Sequence, residues 1–341
     1  MKNILLIATG GTIASTEDGH GLSPALTGDD LARAVPEAAE LAHLDVVQPM
    51  NIDSTNMRPA DWLRIRDAVM AGYADHDGFV ILHGTDTMAY TAAALSYLIQ
   101  GSAKPIVLTG SQRPMATPFT DARLNLYQSL LWATDPRARD VSIVFSGKVI
   151  AGTRARKQRT VSSNAFTSVN FPALAQIRFD RIFPGTALES DRAAVKPHAT
   201  VYDRLNPRVC ALRLTPGLTP HVFDLLAPDY YGIILETFGM GGVPEYGAAG
   251  ESFQEAIFSW VDSGRTLVMT TQVPEEGLDM GVYEVGRAYA EHPGILKGGD
   301  MTTEALVAKT MWALGQTRDA DEVARLFYRP VNHDRSDDRS I

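Results

Sequence analysis

Short apolar runs, several of them apolar at consecutive rather than alternate positions, recur along the 341 residues and do most to limit the fold. They fall at 4–8, 45–47, 79–82, 106–108, 141–145, 209–214, 232–235 and 267–269. A strand buried on both faces reads this way, and such strands belong to parallel sheets covered by helices. Amphipathic or Ala/Leu-rich stretches separate the runs, at 59–74, 87–100, 120–133, 252–263 and 302–314. In the first of these Trp62, Ile65, Val69 and Tyr73 follow helical spacing. In the last, Thr302 or Thr303 is a candidate cap ahead of Glu304. Alternating strands and helices predict an α/β chain.

About two domains suit this length. Pro184, Gly185, Pro197 and Pro207 punctuate a stretch without helical periodicity. The expected division is therefore an N-terminal domain at 1–190, a linker at 191–207 and a smaller C-terminal domain at 208–341. The charged tail from His333 to Ser340 is expected to fray. Lys plus Arg number 31 and Asp plus Glu 40, a net charge of −9. Such a chain lacks the surplus cations that displace phosphate counterions, so neither nucleic acid nor an anionic membrane surface is expected as a partner. The single cysteine, Cys210, forms no intrachain disulfide and reads as a core thiol, and the eight histidines show no zinc-site spacing. The apolar run after Met1 is too short for a secretory signal, and no run reaches the length of a membrane helix. A soluble, cytoplasmic protein is expected.

In open α/β sheets ligands bind outside the carboxyl ends of the strands. Here those ends carry Thr9-Gly10-Gly11-Thr12, His83-Gly84-Thr85-Asp86-Thr87 and Thr109-Gly110-Ser111-Gln112, with Asp53-Ser54-Thr55 in a nearby loop. Paired glycines at the first turn either make a tight loop or present the Thr12 hydroxyl beside backbone N–H groups suited to an oxyanion. The turn lacks the full pattern of a nucleotide-binding loop. Thr85 and Asp86 either cap a helix or face a pocket as proton relay and ammonium anchor. His83 is expected to pack against the sheet. Asp53, Ser54 and Thr55 read on their own as a turn leading into a helix. Lys157 stands among four cations in the nine residues 152–160, which make either a solvated loop or a source of one lysine paired with a carboxylate and a hydroxyl.

Together these segments resemble the bacterial-type L-asparaginases, more closely their cytoplasmic type I group. Thr9-Gly10-Gly11-Thr12-Ile13-Ala14 and residues 78–91 carry the likeness, supported by Asp53-Ser54, Thr109-Gly110-Ser111-Gln112, the Lys157 segment, Pro216-Gly217 and Gly298-Gly299-Asp300. The resemblance implies a large N-terminal parallel-sheet domain with a smaller C-terminal α/β domain. It implies hydrolysis of L-asparagine to L-aspartate and ammonia without metal or organic cofactor, in a homodimer or homotetramer. By position Thr12 takes the nucleophile's place, and Thr85, Asp86 and Lys157 that of a second catalytic cluster. Asp53, Ser54 and Thr55, with Thr85 and Asp86, fall where the family holds its substrate.

Two departures stand out. Leu22 lies where many members carry a loop tyrosine, and residues 13–30 hold no tyrosine. Glu236 lies where some cytoplasmic members use an arginine for regulatory asparagine, so that regulation is not expected. Glu275 and Glu276 are candidates for completing a neighbouring subunit's site. Alternatives are a preference for L-glutamine or D-asparagine, which pocket shape decides. An amidotransferase component suits this acidic chain less well. Outside the enzymes, a non-catalytic amino-acid-binding regulator would use the same scaffold.

Overall fold

The computed structural model describes residues 1–17, 22–24, 30, 33–190, 198–246, 252–278 and 284–336, with backbone alone at 14–17, 22–24, 189–190 and 284–286. The chain divides into two compact units, Met1–Asp203 with Val331–His333, and Arg204–Pro330 with Asp334–Ile341. Of the expected linker, 191–197 lies outside the described residues, and Thr200–Val201 pairs antiparallel with Ile99–Gln100.

The first unit is built on an eight-stranded sheet. Five strands run parallel, in the order Ala42–Val47, Lys2–Ala8, Gly78–Leu82, Ile106–Thr109, Val141–Phe145. Gly78–Leu82, Ile106–Thr109 and Val141–Phe145 are buried at every position, which explains why they are apolar at consecutive positions apart from Ser142 and Thr109. Full burial of each Ile, Leu or Val contributes about 1.5–3 kcal/mol.

The sheet is mostly, not wholly, parallel. Lys148–Ala151, Ala175–Arg178 and Arg181–Pro184 extend one side antiparallel. The reversal has a local cause. Phe145 pairs with Lys148, and the two residues between them, Ser146 and Gly147, both take positive φ (49° and 75°). That conformation closes a two-residue hairpin whose twist matches the strands.

Helices Pro59–Ala71, Met88–Leu98 and Ala122–Thr134 connect the parallel strands. The first opens with proline in its first turn, and Asp61 Oδ2 accepts the Arg58 backbone N–H at 3.0 Å. Trp62, Ile65 and Val69 are buried, while Tyr73 lies beyond the helix, which ends before Gly72.

The second unit holds a four-stranded parallel sheet, ordered Val209–Arg213, Gly232–Thr237, Thr266–Thr271, Ile295–Lys297. Helices Phe253–Asp262 and Thr303–Gln316 start at capping hydroxyls: Ser252 accepts from Glu255 N–H and Thr302 from Ala305 N–H. Ile233, Leu235, Leu267, Phe253 and Trp260 form its core, against which Cys210 packs half-buried. Burial pushes the Cys210 thiol up to about 11, so it is a packing residue rather than a nucleophile.

The expectation of a frayed tail fails over 333–336, while 337–340 lie outside the described residues. In the first unit, Asn332 Nδ2 donates to Ser96 Oγ at 2.8 Å and to Val141 O at 2.9 Å, and the His333 ring stacks on Phe171. In the second unit, Asp334 is fully buried and accepts from the equally buried Lys309 Nζ at 2.5 Å. Asp334, one of the charges that suggested a solvated tail, instead serves this buried pair.

Candidate active site

The carboxyl ends of the parallel strands bring three loops together backbone to backbone. Gly10 bridges to Ile52, with Gly11 N–H donating to Ile52 O at 3.1 Å and Ile52 N–H to Thr9 O at 2.9 Å. Gly10 and Gly11 take φ of 105° and 84°, a region open to glycine and strained for other residues. A methyl on Gly11 would strike Gly84, and one on Gly84 would strike the Ser54 side chain. The Thr12 turn, the 83–86 loop and the 51–56 loop therefore abut, as the topology requires of a site at this edge. Thr12 is half-buried and starts the short 3₁₀ turn Thr12–Ala14. Of the backbone N–H groups around the Thr12 hydroxyl, that of Gly11 is engaged by Ile52 O.

Neither Thr85 nor Asp86 caps the following helix, whose N-cap is Thr87. They meet Lys157 instead. Lys157 Nζ donates to Thr85 Oγ1 at 2.7 Å and to Asp86 Oδ1 at 2.6 Å. Lys157 comes from the short strand Ala155–Lys157, paired antiparallel with Phe166–Ser168 just past the Lys148–Ala151 hairpin arm. Phe166 packs on Phe145 of the main sheet, with ring centroids 5.0 Å apart. Arg154, fully buried at the preceding turn, donates from Nε to His333 O at 2.5 Å. The basic segment thus delivers one lysine to a carboxylate and a hydroxyl rather than forming a wholly solvated loop.

Asp53, Ser54 and Thr55 do form a turn. Asp53 Oδ1 accepts from both the N–H and the hydroxyl of Thr55 at 2.8 Å, while Ser54 is buried beside Gly84 and its carbonyl accepts from Thr87 Oγ1. The turn holds Ser54 against the loop that carries Thr85.

His83 is buried and neutral, its pKa pushed down from 6.5 to about 4 chiefly by desolvation. Its Nδ1 contacts Gly84 O at 2.7 Å and its Nε2 contacts Thr91 Oγ1 at 2.9 Å, while Trp62 Nε1 donates to Thr91 at 3.0 Å. It packs beneath the site, as its position before the turn suggested. Leu22 lies in the strand Leu22–Pro24, paired with Ser15–Glu17 after the Thr12 turn, and its side chain falls outside the described atoms. Glu236 is buried, receiving Arg213 Nε at 2.8 Å and Thr303 Oγ1 at 2.5 Å. Glu275 and Glu276 are exposed. Among the described residues no cluster of His, Cys, Asp or Glu suits a metal ion.

The family model "Asparaginase, N-terminal" matches residues 3–186, and "Glutaminase/Asparaginase C-terminal domain" matches 208–327. The chain belongs to the asparaginase family. It is thereby placed among amidohydrolases, on an α/β fold of that family's two-sheet kind. An L-asparaginase of Thermococcus kodakarensis is 38% identical over 96% of this chain and 97% of its own. The solved structure of the thermostable L-asparaginase from that organism superposes with a TM-score of 0.89 at 36% identity, covering 98% of this chain and 99% of that one. L-asparaginase I from Vibrio cholerae superposes with a TM-score of 0.86 at 30% identity, over 98% of this chain and 99% of that one. The chain is also similar to a component of the glutamyl-tRNA(Gln) amidotransferase from Metallosphaera sedula, 35% identical over 95% of this chain and 74% of that protein.

One residue of the site was not singled out for a role by the sequence. Gln112 follows the Ile106–Thr109 strand, and its Oε1 accepts from Thr85 Oγ1 at 3.3 Å. Its presence in Thr109-Gly110-Ser111-Gln112 marked the family, but its partners come from distant loops.

Proposed function

We propose that this chain hydrolyses the side-chain amide of L-asparagine to L-aspartate and ammonia by double displacement at Thr12. The observation that carries the reading is Lys157 Nζ, 2.7 Å from Thr85 Oγ1 and 2.6 Å from Asp86 Oδ1, where Thr85 and Asp86 belong to the loop packed against the Thr12 turn. Thr12 Oγ attacks the amide carbon, its proton passing to a neighbouring base, and ammonia departs with a proton. Water then cleaves the β-aspartyl ester and restores the hydroxyl. A threonine hydroxyl needs a partner that takes its proton, and the Lys157–Thr85 pair supplies a path for proton movement. Asp86, half-exposed, holds Lys157 and receives the substrate's ammonium group. Ser54, with Asp53 and Thr55 shaping its turn, binds the α-carboxylate.

The family's "Glutaminase/Asparaginase" C-terminal domain supports a second reading, hydrolysis of L-glutamine. One methylene is worth only about 1–3 kcal/mol to a pocket. Ammonia release from L-asparagine, L-glutamine and D-asparagine decides between them. A highest kcat/KM on L-asparagine supports the proposal, and a higher value on either other amide replaces it. Binding of asparagine without ammonia would make the chain a sensor.

The working assembly is a homodimer or homotetramer. Phe119, Val161 and Phe179 are 96%, 87% and 85% exposed in a single chain, side chains that an interface between copies would cover. Light scattering on the purified protein tests it, and a monomeric mass would overturn it. A cytoplasmic location fits a chain with one cysteine, in which no described helix is long and apolar enough to cross a membrane.

A further inference from the structure

Gln112 does more than touch Thr85. Its Nε2 donates to Arg159 O at 3.4 Å and to Ser162 O at 3.3 Å, both in the loop that follows Lys157. A backbone carbonyl only accepts. The two carbonyls therefore require the amide nitrogen on their side, which settles the orientation of the amide and turns Oε1 toward Thr85. Oε1 only accepts as well, so Thr85 commits its single proton to Gln112. The Thr85 lone pairs are left facing Lys157 Nζ, which donates to them at 2.7 Å. The direction of the Thr85 proton, in the row Lys157, Thr85, Gln112, is fixed by two carbonyls at its far end. The backbone of Gln112 is itself held, its N–H donating to Asp121 Oδ2 at 3.0 Å.

We infer that Gln112 is a positioning residue that sets the proton direction of the Thr85 hydroxyl and so keeps the Lys157–Thr85 pair in one hydrogen-bonded state. The inference rests on the amide-hydrolysis reading for its kinetic consequence, but not for its structural one. With Gln112 present, Thr85 receives from the lysine ammonium and releases its own proton only by turning away from Oε1. Without it, the hydroxyl is free to donate to a neutral lysine, and the pair loses its single direction. Substrate contacts at Ser54 and Asp86 are left alone, so the effect falls on turnover rather than on binding.

Gln112→Met keeps the length of the side chain and removes both polar ends. Its kcat should fall about tenfold, with KM within about twofold of the parent. Gln112→Glu gives a second, opposite handle. When protonated, its carboxyl offers one donor to the carbonyls and one acceptor to Thr85, as the amide does. When ionised, it opposes the two carbonyls. Its kcat relative to the parent should therefore rise as pH falls, and a ratio flat with pH would overturn the inference. A third measurement needs no turnover. In ligand-free parent protein, neutron diffraction should place the Thr85 hydroxyl deuterium toward Gln112 Oε1 and the Gln112 amide nitrogen toward Arg159 O and Ser162 O. Parent-like kcat in Gln112→Met, or a Thr85 deuterium aimed at Lys157 Nζ, rejects the role. Should the parent release no ammonia from any amide, the functional reading fails, and the deuterium position still judges Gln112. Should Gln112→Met not fold, the pH dependence of the Gln112→Glu ratio decides.

Discussion

Gly11 and Gly84 meet backbone to backbone, so that a single methyl on Gly11 would overlap the Gly84 amide nitrogen and α-carbon. Gly11 also sits at φ 84°. Gly11→Ala therefore meets two obstacles, conformational strain of about 1–3 kcal/mol and a clash that pushes the Thr12 turn from the Thr85 loop. kcat/KM should fall at least about a hundredfold, because displacements near 1 Å cost that much. Steady-state ammonia release with a parallel melting curve checks it, and parent-like kcat/KM would show that the two loops need not touch.

Thr12→Ala should lower kcat by several powers of ten while the melting temperature stays close to the parent's, because Thr12 is only half-buried in a short turn. Thr12→Ser should recover part of the rate. Near-normal turnover in Thr12→Ala would move the nucleophile elsewhere.

Lys157→Met removes both hydrogen bonds that tie Thr85 and Asp86 together. A loss of about 10²–10⁴ in kcat is expected, the usual worth of a positioned proton-transfer group. An unchanged rate would remove the lysine from the chemistry.

His83 gives a stability prediction with a defined sign. Its folded pKa, about 4, lies below the unfolded value of 6.5, because burial disfavours the charged ring. The stability linked to its neutral form is fully present above pH 6.5 and is lost as pH falls toward 4. The loss approaches about 3 kcal/mol at the acid end. Urea unfolding between pH 7 and 4 measures it, and His83→Gln should flatten that part of the profile.

The Lys309–Asp334 pair is buried on both sides, and desolvation lowers the lysine to about 8 despite its partner. Asp334→Ala strands a buried cation and should cost about 3–5 kcal/mol, whereas replacing both members with apolar residues of similar volume should be close to neutral. Unfolding curves of the single and double variants test this. Equal losses in both would mean that packing, not charge, holds the tail.

The parallel strands could be read from sequence because burial on both faces leaves an unbroken apolar run, as in Phe79–Leu82. The antiparallel arm could not, since it turns on positive φ at Ser146, a choice that one residue type does not announce. Thr85, Asp86 and Lys157 were singled out through the family resemblance, and the fold brings the three side chains into contact. Asp53 to Thr55 read on their own as a turn, which they form, and only the family resemblance suggested a substrate contact there. Gln112 stayed hidden because its role is assigned by carbonyls 47 and 50 residues away in the chain. The tail misled because charge density suggests solvent, whereas Asp334 is matched by a lysine from a distant helix.

Val331–His333 belong to the N-terminal unit although all of Arg204–Pro330 precedes them. Asn332 and His333 grip Ser96 and the Arg154 turn, which leads into the strand bearing Lys157. A ribosome therefore makes this clasp only after the whole of Arg204–Pro330. The first unit cannot finish folding while it is being synthesised, and a nascent chain halted before residue 331 carries every reactive group yet lacks the piece that braces its lysine.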